Sequence, residues 1–296
     1  MEKRYIIIGV LVIAAILGAM VLLSKNNFGT GNQIKVSASF YPLAFFAKEI
    51  GGDKINVTTI TPAGAEPHEY EPTAQDIARI SQSQLLILNG SGVEPWAKSL
   101  DTSATTIAVS EGLATETEGE ETPDPHVWLS PLLAKEMAER IAAALISIDP
   151  SNGEYYQLTL TALKLKLDIL DAQFTQTLNS CAQKNIITSH AAFGYMAEAY
   201  GFIQVPIAGL SPEQEPSAQQ LAQVTKFIKD NNVKYVFFES LVSPKLSDTL
   251  AKETGAQTLE LNPIEGLTND EIADGQNYIT KMETNLANLK TALECK

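Results

Sequence analysis

From residue 34 onward, short runs rich in β-branched residues alternate with runs of helical period, and this rhythm constrains the chain to parallel sheet covered by helices. IKVSASF, INVTTI, LLILNG and TTIAVS read as strands, with YPLAFFAKEIGG, TAQDIARISQ and VEPWAKSL as the helices between them. Past residue 181 the rhythm resumes: NIIT, FIQVPI, VKYVFF and AQTLEL alternate with AAFGYMAEAYG, SAQQLAQVTKFIKDN and PKLSDTLAKETG, and NYITKMETNLANLKTALE closes the chain. The segment between carries Tyr156, Leu160, Leu163, Leu167, Leu170, Phe174 and Leu178 on one helical stripe. As one continuous helix it spans about 39 Å. The reading is therefore an α/β protein of two lobes, each a mostly parallel sheet covered by helices, at 34–150 and 181–296. One long rigid helix at 151–180 joins them, leaving a cleft between.

The amino terminus reads differently. After MEKR, residues 5–24 hold no charge, and as a helix they span about 30 Å, the thickness of a hydrocarbon core. The run exceeds the roughly 7 to 15 apolar residues of a cleavable signal, and no A-x-A cleavage site follows. No nearby cysteine could carry lipid. Residues 1–24 are thus expected to anchor the chain, with Lys3 and Arg4 in the cytoplasm and 25–33 as a linker to an extracytoplasmic body. The alternative is a cleaved signal and a secreted or periplasmic protein. Outside the cell, the only two cysteines, Cys181 and Cys295, are expected to pair as a disulfide.

A formal net charge of −14 argues against nucleic acid and anionic lipid surfaces as partners and favours the approach of a cation. The acidic stretch at 115–124, TETEGEETPD, reads as a solvated spacer that interrupts the first lobe. Directly after it, Ser130 is a suitable N-cap and Pro131 suits the first helical position, so a helix starts there.

The chain has three histidines, and all fall near strand ends, where open α/β sheets bind ligands. His68 lies in the loop TPAGAEPHEYEP, His126 in DPHVWLSP, and His190 directly after NIITS. Neutral imidazole is the commonest metal ligand, and three histidines with one oxygen donor suit tetrahedral Zn2+. Pro67 and Pro125 stiffen the backbone before two of them. The fourth donor is expected from a loop of the second lobe, where Glu239 and Glu265 are both candidates that spacing alone does not separate.

HEYEP, DPHVWLSP, SHAAFGYMAEAYG, GLSPEQEPS and LNPIEGL, in this order, resemble the zinc-binding solute receptors of metal ABC importers, the periplasmic zinc-binding protein family; the likeness covers roughly residues 34 to 296. It implies a metal in the cleft and delivery of Zn2+ to a membrane permease. Residue by residue, it implies His68, His126, His190 and Glu265 as ligands, which selects Glu265 over Glu239. Three features depart from the family pattern: the chain keeps an apolar amino-terminal segment, the acidic stretch has no histidine, and Ser130 stands where an aspartate is frequent.

Two other function classes stay open at this level. A zinc hydrolase would also use three protein ligands, but His68-Glu69 is not followed by the second histidine of H-E-x-x-H. A surface adhesin could use metal only to stiffen its fold. A manganese receptor of the same architecture would favour oxygen ligands over three imidazoles, and the resemblance implies a carboxylate in place of His190 for such a receptor. The expectation is a monomeric receptor and not an enzyme.

Overall fold

The computed structural model describes residues 33–115 and 122–296. The anchor expected at 1–24, nearly all of the linker and most of the acidic stretch lie outside the described residues. Among the described residues, no helix is long and apolar enough to cross a membrane.

Residues Ile34–Lys296 form one compact unit built on two four-stranded, all-parallel sheets. The first contains β1 (Ile34–Ala38), β2 (Ile55–Thr59), β3 (Leu85–Leu88) and β4 (Thr105–Ala108), in the order β2-β1-β3-β4. The second contains β5 (Asn185–Thr188), β6 (Ile203–Pro206), β7 (Tyr235–Phe238) and β8 (Gln257–Glu260), in the order β6-β5-β7-β8. The two orders are the same. In each sheet the strand order, not the strand direction, reverses beside the first strand, which makes a switch point at the carboxyl ends of β1 and β3, and of β5 and β7. The β3 run Leu85–Leu88 is buried throughout, as a parallel strand covered on both faces requires.

In the first half, α1 (Tyr41–Gly51) follows β1, α2 (Ala74–Ser81) precedes β3, and α3 (Pro131–Ile148) follows β4. Ser130 caps α3 through its hydroxyl, which accepts from the Leu133 N–H, with Pro131 in the first turn. The predicted helix VEPWAKSL is only a short 3-10 turn, Pro95–Ser99. Its first acidic residue explains this. Glu94 turns inward to accept from the amides of Asn89 and Gly90 and the hydroxyl of Ser39, so its backbone is not helical.

The long helix α4 is continuous over Gly153–Leu178, and its buried residues are the seven of the sequence stripe. They pack into the same core as α1, α3 and the closing helix α9 (Tyr278–Ala292). In the second half, α5 (Gly194–Tyr200), α6 (Ala218–Asp230), α7 (Lys245–Thr254) and a short α8 (Asn269–Ala273) cover the sheet or link its strands. The predicted bridge is present: Cys181 and Cys295 form a disulfide across a sequence separation of 114, joining the residues just past α4 to the end of the chain.

Candidate metal centre

The structure brings His68, His126, His190 and Glu265 together, with one possible ligand atom from each lying within 4.8 Å of all the others. Each comes from a loop beyond a strand: β2 for His68, β4 for His126, β5 for His190 and β8 for Glu265. Two loops are contributed by each sheet, so the group exists only where the two halves meet. His126, His190 and Glu265 are buried, and His68 keeps slight exposure.

Glu265 Oε1 lies 3.2 Å from Nε2 of His68 and 3.4 Å from Nε2 of both His126 and His190. The Nε2 atoms of His126 and His190 are themselves 3.2 Å apart. Behind the imidazoles, carboxylates hold the rings. Nδ1–H of His126 donates to Asp124 Oδ1 at 2.8 Å, and its backbone N–H donates to the same oxygen at 3.0 Å. Nδ1–H of His190 faces both oxygens of Glu239 at 2.8 and 2.9 Å, and its backbone N–H reaches Glu239 at 3.3 Å. A donor role for Nδ1 leaves the Nε2 lone pair free, so both rings present acceptors to the same point.

Glu239 is therefore placed behind His190 and not in the ligand group. β7, which ends at Phe238, is the neighbour of β5 in the sheet, and that adjacency aligns Glu239 with His190. Sequence reasoning missed Glu66. Its Oε1 accepts from the His68 N–H at 2.9 Å, while its Oε2, like Glu265 Oε2, is buried with no hydrogen-bond partner. The available signal was its spacing, two residues before a histidine as Asp124 is before His126. Sequence reasoning also passed over Asn89, whose amide donates to the Pro125 carbonyl at 3.1 Å and steadies the His126 loop.

The electrostatics follow from burial and these partners. Burial lowers the His190 value, but the charge and hydrogen bonding of Glu239, with Glu265 in support, outweigh it and hold the imidazole well above its usual range. For His126 burial is likewise overcome, here mainly by the Asp124 hydrogen bond. His68 stays lowered because burial dominates over Glu265. Against its own burial, Glu265 is held well below the carboxylate range by the three histidines. Glu66 is pushed up to about 10 by burial and by the neighbouring Glu265 charge.

The backbone carrying Glu265 is strained. Ile264 has φ +57°, a left-handed conformation that costs a β-branched residue of order 1–3 kcal/mol. A cavity of about 310 Å3, lined in part by Tyr41, Thr61 and Gly266, lies against Glu265.

The model of the family described as "ZnuA: Zinc-uptake complex component A periplasmic" matches residues 36–292. The chain belongs to the ZnuA family. The high-affinity zinc uptake system protein ZnuA of Bacillus subtilis (strain 168) is 40% identical over 285 residues, covering 90% of this chain and 89% of that protein. The zinc-binding lipoprotein AdcA of Streptococcus pneumoniae serotype 4 is 36% identical over 299 residues, covering 95% of this chain but only 60% of AdcA. Thus the chain spans about three fifths of the length of AdcA. The crystal structure of the Zn(II)-bound ZnuA-like domain of Streptococcus pneumoniae AdcA matches with TM-score 0.79 and 38% identity, covering 89% of this chain and all (100%) of that domain. The two-lobe, parallel-sheet architecture is thus that of the ZnuA family, whose members are solute-binding receptors and not enzymes.

Proposed function

We propose that the chain is an extracytoplasmic receptor that binds one Zn2+ through Nε2 of His68, His126 and His190 and one oxygen of Glu265, and delivers it to the permease of an ABC importer. The observation that carries this reading is the spacing of the donors. Zinc–nitrogen and zinc–oxygen bonds of about 2.0–2.1 Å in a tetrahedron give donor–donor edges of about 3.3 Å. Of the six edges, the three from Glu265 Oε1 are 3.2, 3.4 and 3.4 Å and that between His126 and His190 is 3.2 Å, while the two from His68 to the other imidazoles lie within 4.8 Å. Two imidazole lone pairs facing each other at 3.2 Å repel unless a cation or proton lies between them.

The ligand set supports zinc over manganese, since three imidazoles and one carboxylate suit the softer ion. It also weighs against a hydrolase, because a catalytic zinc keeps a position open for water, whereas Glu265 fills the fourth vertex. The B. subtilis relative's description as a zinc uptake protein and the zinc-bound AdcA domain support the same ion. The net charge of −14 favours capture of a cation by a monomeric receptor.

In this proposal the uncharged run at residues 5–24 tethers the receptor to the outer face of the membrane. Metal analysis of the purified protein beside its His190→Ala variant tests the ion and the site: stoichiometric zinc in the parent and loss in the variant are expected. Retention in the membrane fraction after a high-salt wash tests the tether, and an amino terminus near residue 25 by mass spectrometry would reject it.

A further inference from the structure

Trp128, two residues beyond His126, is fully buried, and its Nε1–H donates to the carbonyl of Pro263 at 2.7 Å. Its own carbonyl accepts from the hydroxyl of Tyr278 on α9. These bonds join the loop of His126, from the first half, to the loop that leads through Pro263 and Ile264 into Glu265, in the second.

The target of the indole is the strained backbone. A left-handed β-branched residue persists only where its surroundings over-determine it. The Ile264 N–H donates to Asn262 Oδ1 at 2.7 Å. Asn262 is held in turn by Asn285 of α9, through a backbone N–H donated at 2.9 Å and a carbonyl that accepts at 2.6 Å. All of these partners belong to the second half. Trp128 supplies the bond from the first half, and it falls on the peptide immediately before Ile264. The ring is also fixed on its own side, edge-on to Phe40 at 4.9 Å and 5.2 Å from the His126 imidazole.

We propose that Trp128 is a positioning residue for the fourth ligand: its indole N–H holds the Pro263–Ile264 backbone and so sets where the Glu265 carboxylate meets the three imidazoles. The proposal rests on Glu265 being a ligand. Without the indole N–H, the buried Pro263 carbonyl loses its donor and the strained peptide can relax. Glu265 Oε1 then drifts from the point that lies 3.2 to 3.4 Å from the three Nε2 atoms. A shift of about 1 Å in a supporting group is enough to weaken a metal site.

The test is Trp128→Phe in the full chain, which keeps an aromatic ring against Phe40 and removes only the donor and part of the bulk. Co2+ is the spectroscopic probe, because its visible bands report coordination number and geometry, and a chelator chase reads zinc dissociation. Trp128→Phe is expected to shift the Co2+ bands toward those of Glu265→Gln and to speed zinc loss roughly tenfold, the low end for residues supporting metal ligands. A lowered melting temperature alone would follow from any core change; the band shift would not. Parent-like bands and dissociation in Trp128→Phe, with both altered in Glu265→Gln, overturn the positioning role. Parent-like bands in Glu265→Gln overturn the ligand assignment and this inference with it. If Trp128→Phe does not fold, replacement of Trp128 by 3-benzothienylalanine, which keeps the bicyclic shape and lacks only the N–H donated to Pro263, is read against the same outcomes.

Discussion

Both oxygens of Glu239 face Nδ1 of His190, at 2.8 and 2.9 Å, with the two side chains almost wholly buried. The pair fixes the tautomer that presents Nε2 to Glu265 and adds basicity to the ring. Glu239→Gln keeps the shape but removes the charge. It should weaken zinc binding roughly tenfold to a hundredfold while the variant still takes up metal, as read by competition with a chromogenic chelator. Complete loss of binding would make Glu239 a ligand; an unchanged affinity would remove its orienting role.

His126→Ala should abolish most of the thermal stabilisation by zinc, a term of about 4 kcal/mol when zinc is a thousandfold above its dissociation constant. A side chain merely lining an open cleft would leave the metal-free melting temperature unchanged. His126 is instead fully buried, with Asp124 behind it, so the variant leaves a buried carboxylate without its ring partner, held there only by the backbone N–H. The metal-free form should therefore lose about 1–3 kcal/mol as well. Calorimetry with and without zinc separates the two effects, and equal zinc protection of variant and parent would exclude His126 as a ligand.

What was legible in the sequence depended on period and adjacency along the chain. The stripe from Tyr156 to Leu178 repeats every three or four residues, and helix α4 buries those residues. The three histidines stood out because strand ends can be read from local pattern. Glu239 and Glu265 could not be separated that way, since both follow strands; the distinction lies in sheet order, with β7 beside β5 and β8 at the edge. Glu66 and Glu94 were invisible for a related reason. In a loop or at a helix start a glutamate reads as solvated, and only the fold turns Glu66 toward His68 and Glu94 onto the amides of Asn89 and Gly90.

The Cys181–Cys295 bridge closes a loop that holds the whole second sheet and α9. In the chain-entropy model a loop of this length stabilises by about 4–5 kcal/mol. Cys181→Ser with Cys295→Ser should lower the denaturant midpoint accordingly, while zinc affinity changes little because neither residue approaches the ligand group. Alkylation of the unreduced, unfolded parent should label no thiol; labelling of both cysteines would end the claim.

Protons should compete with zinc over a range set by His190. In the metal-free protein its value is held well above 6.5 by Glu239 and Glu265 against the opposing effect of burial, and His126 is shifted the same way by Asp124. The sign follows from linkage. A raised folded-state value means that protonated His190 stabilises the metal-free fold fully below the unfolded value of about 6.5. That contribution is lost as pH rises through the folded value. Zinc needs the neutral ring, so its binding must expel the proton, and affinity should climb as the proton's stabilisation fades. Zinc affinity should therefore begin to fall above pH 6.5 on acidification, earlier than for three unperturbed imidazoles, and binding near neutral pH should release protons. Calorimetric titrations in buffers of differing ionisation enthalpy measure that release directly. Glu239→Gln, which removes the charge that raises His190, should move the onset of weakening to lower pH even as it weakens binding overall. If parent and variant release the same number of protons at neutral pH, His190 is not the group that zinc deprotonates.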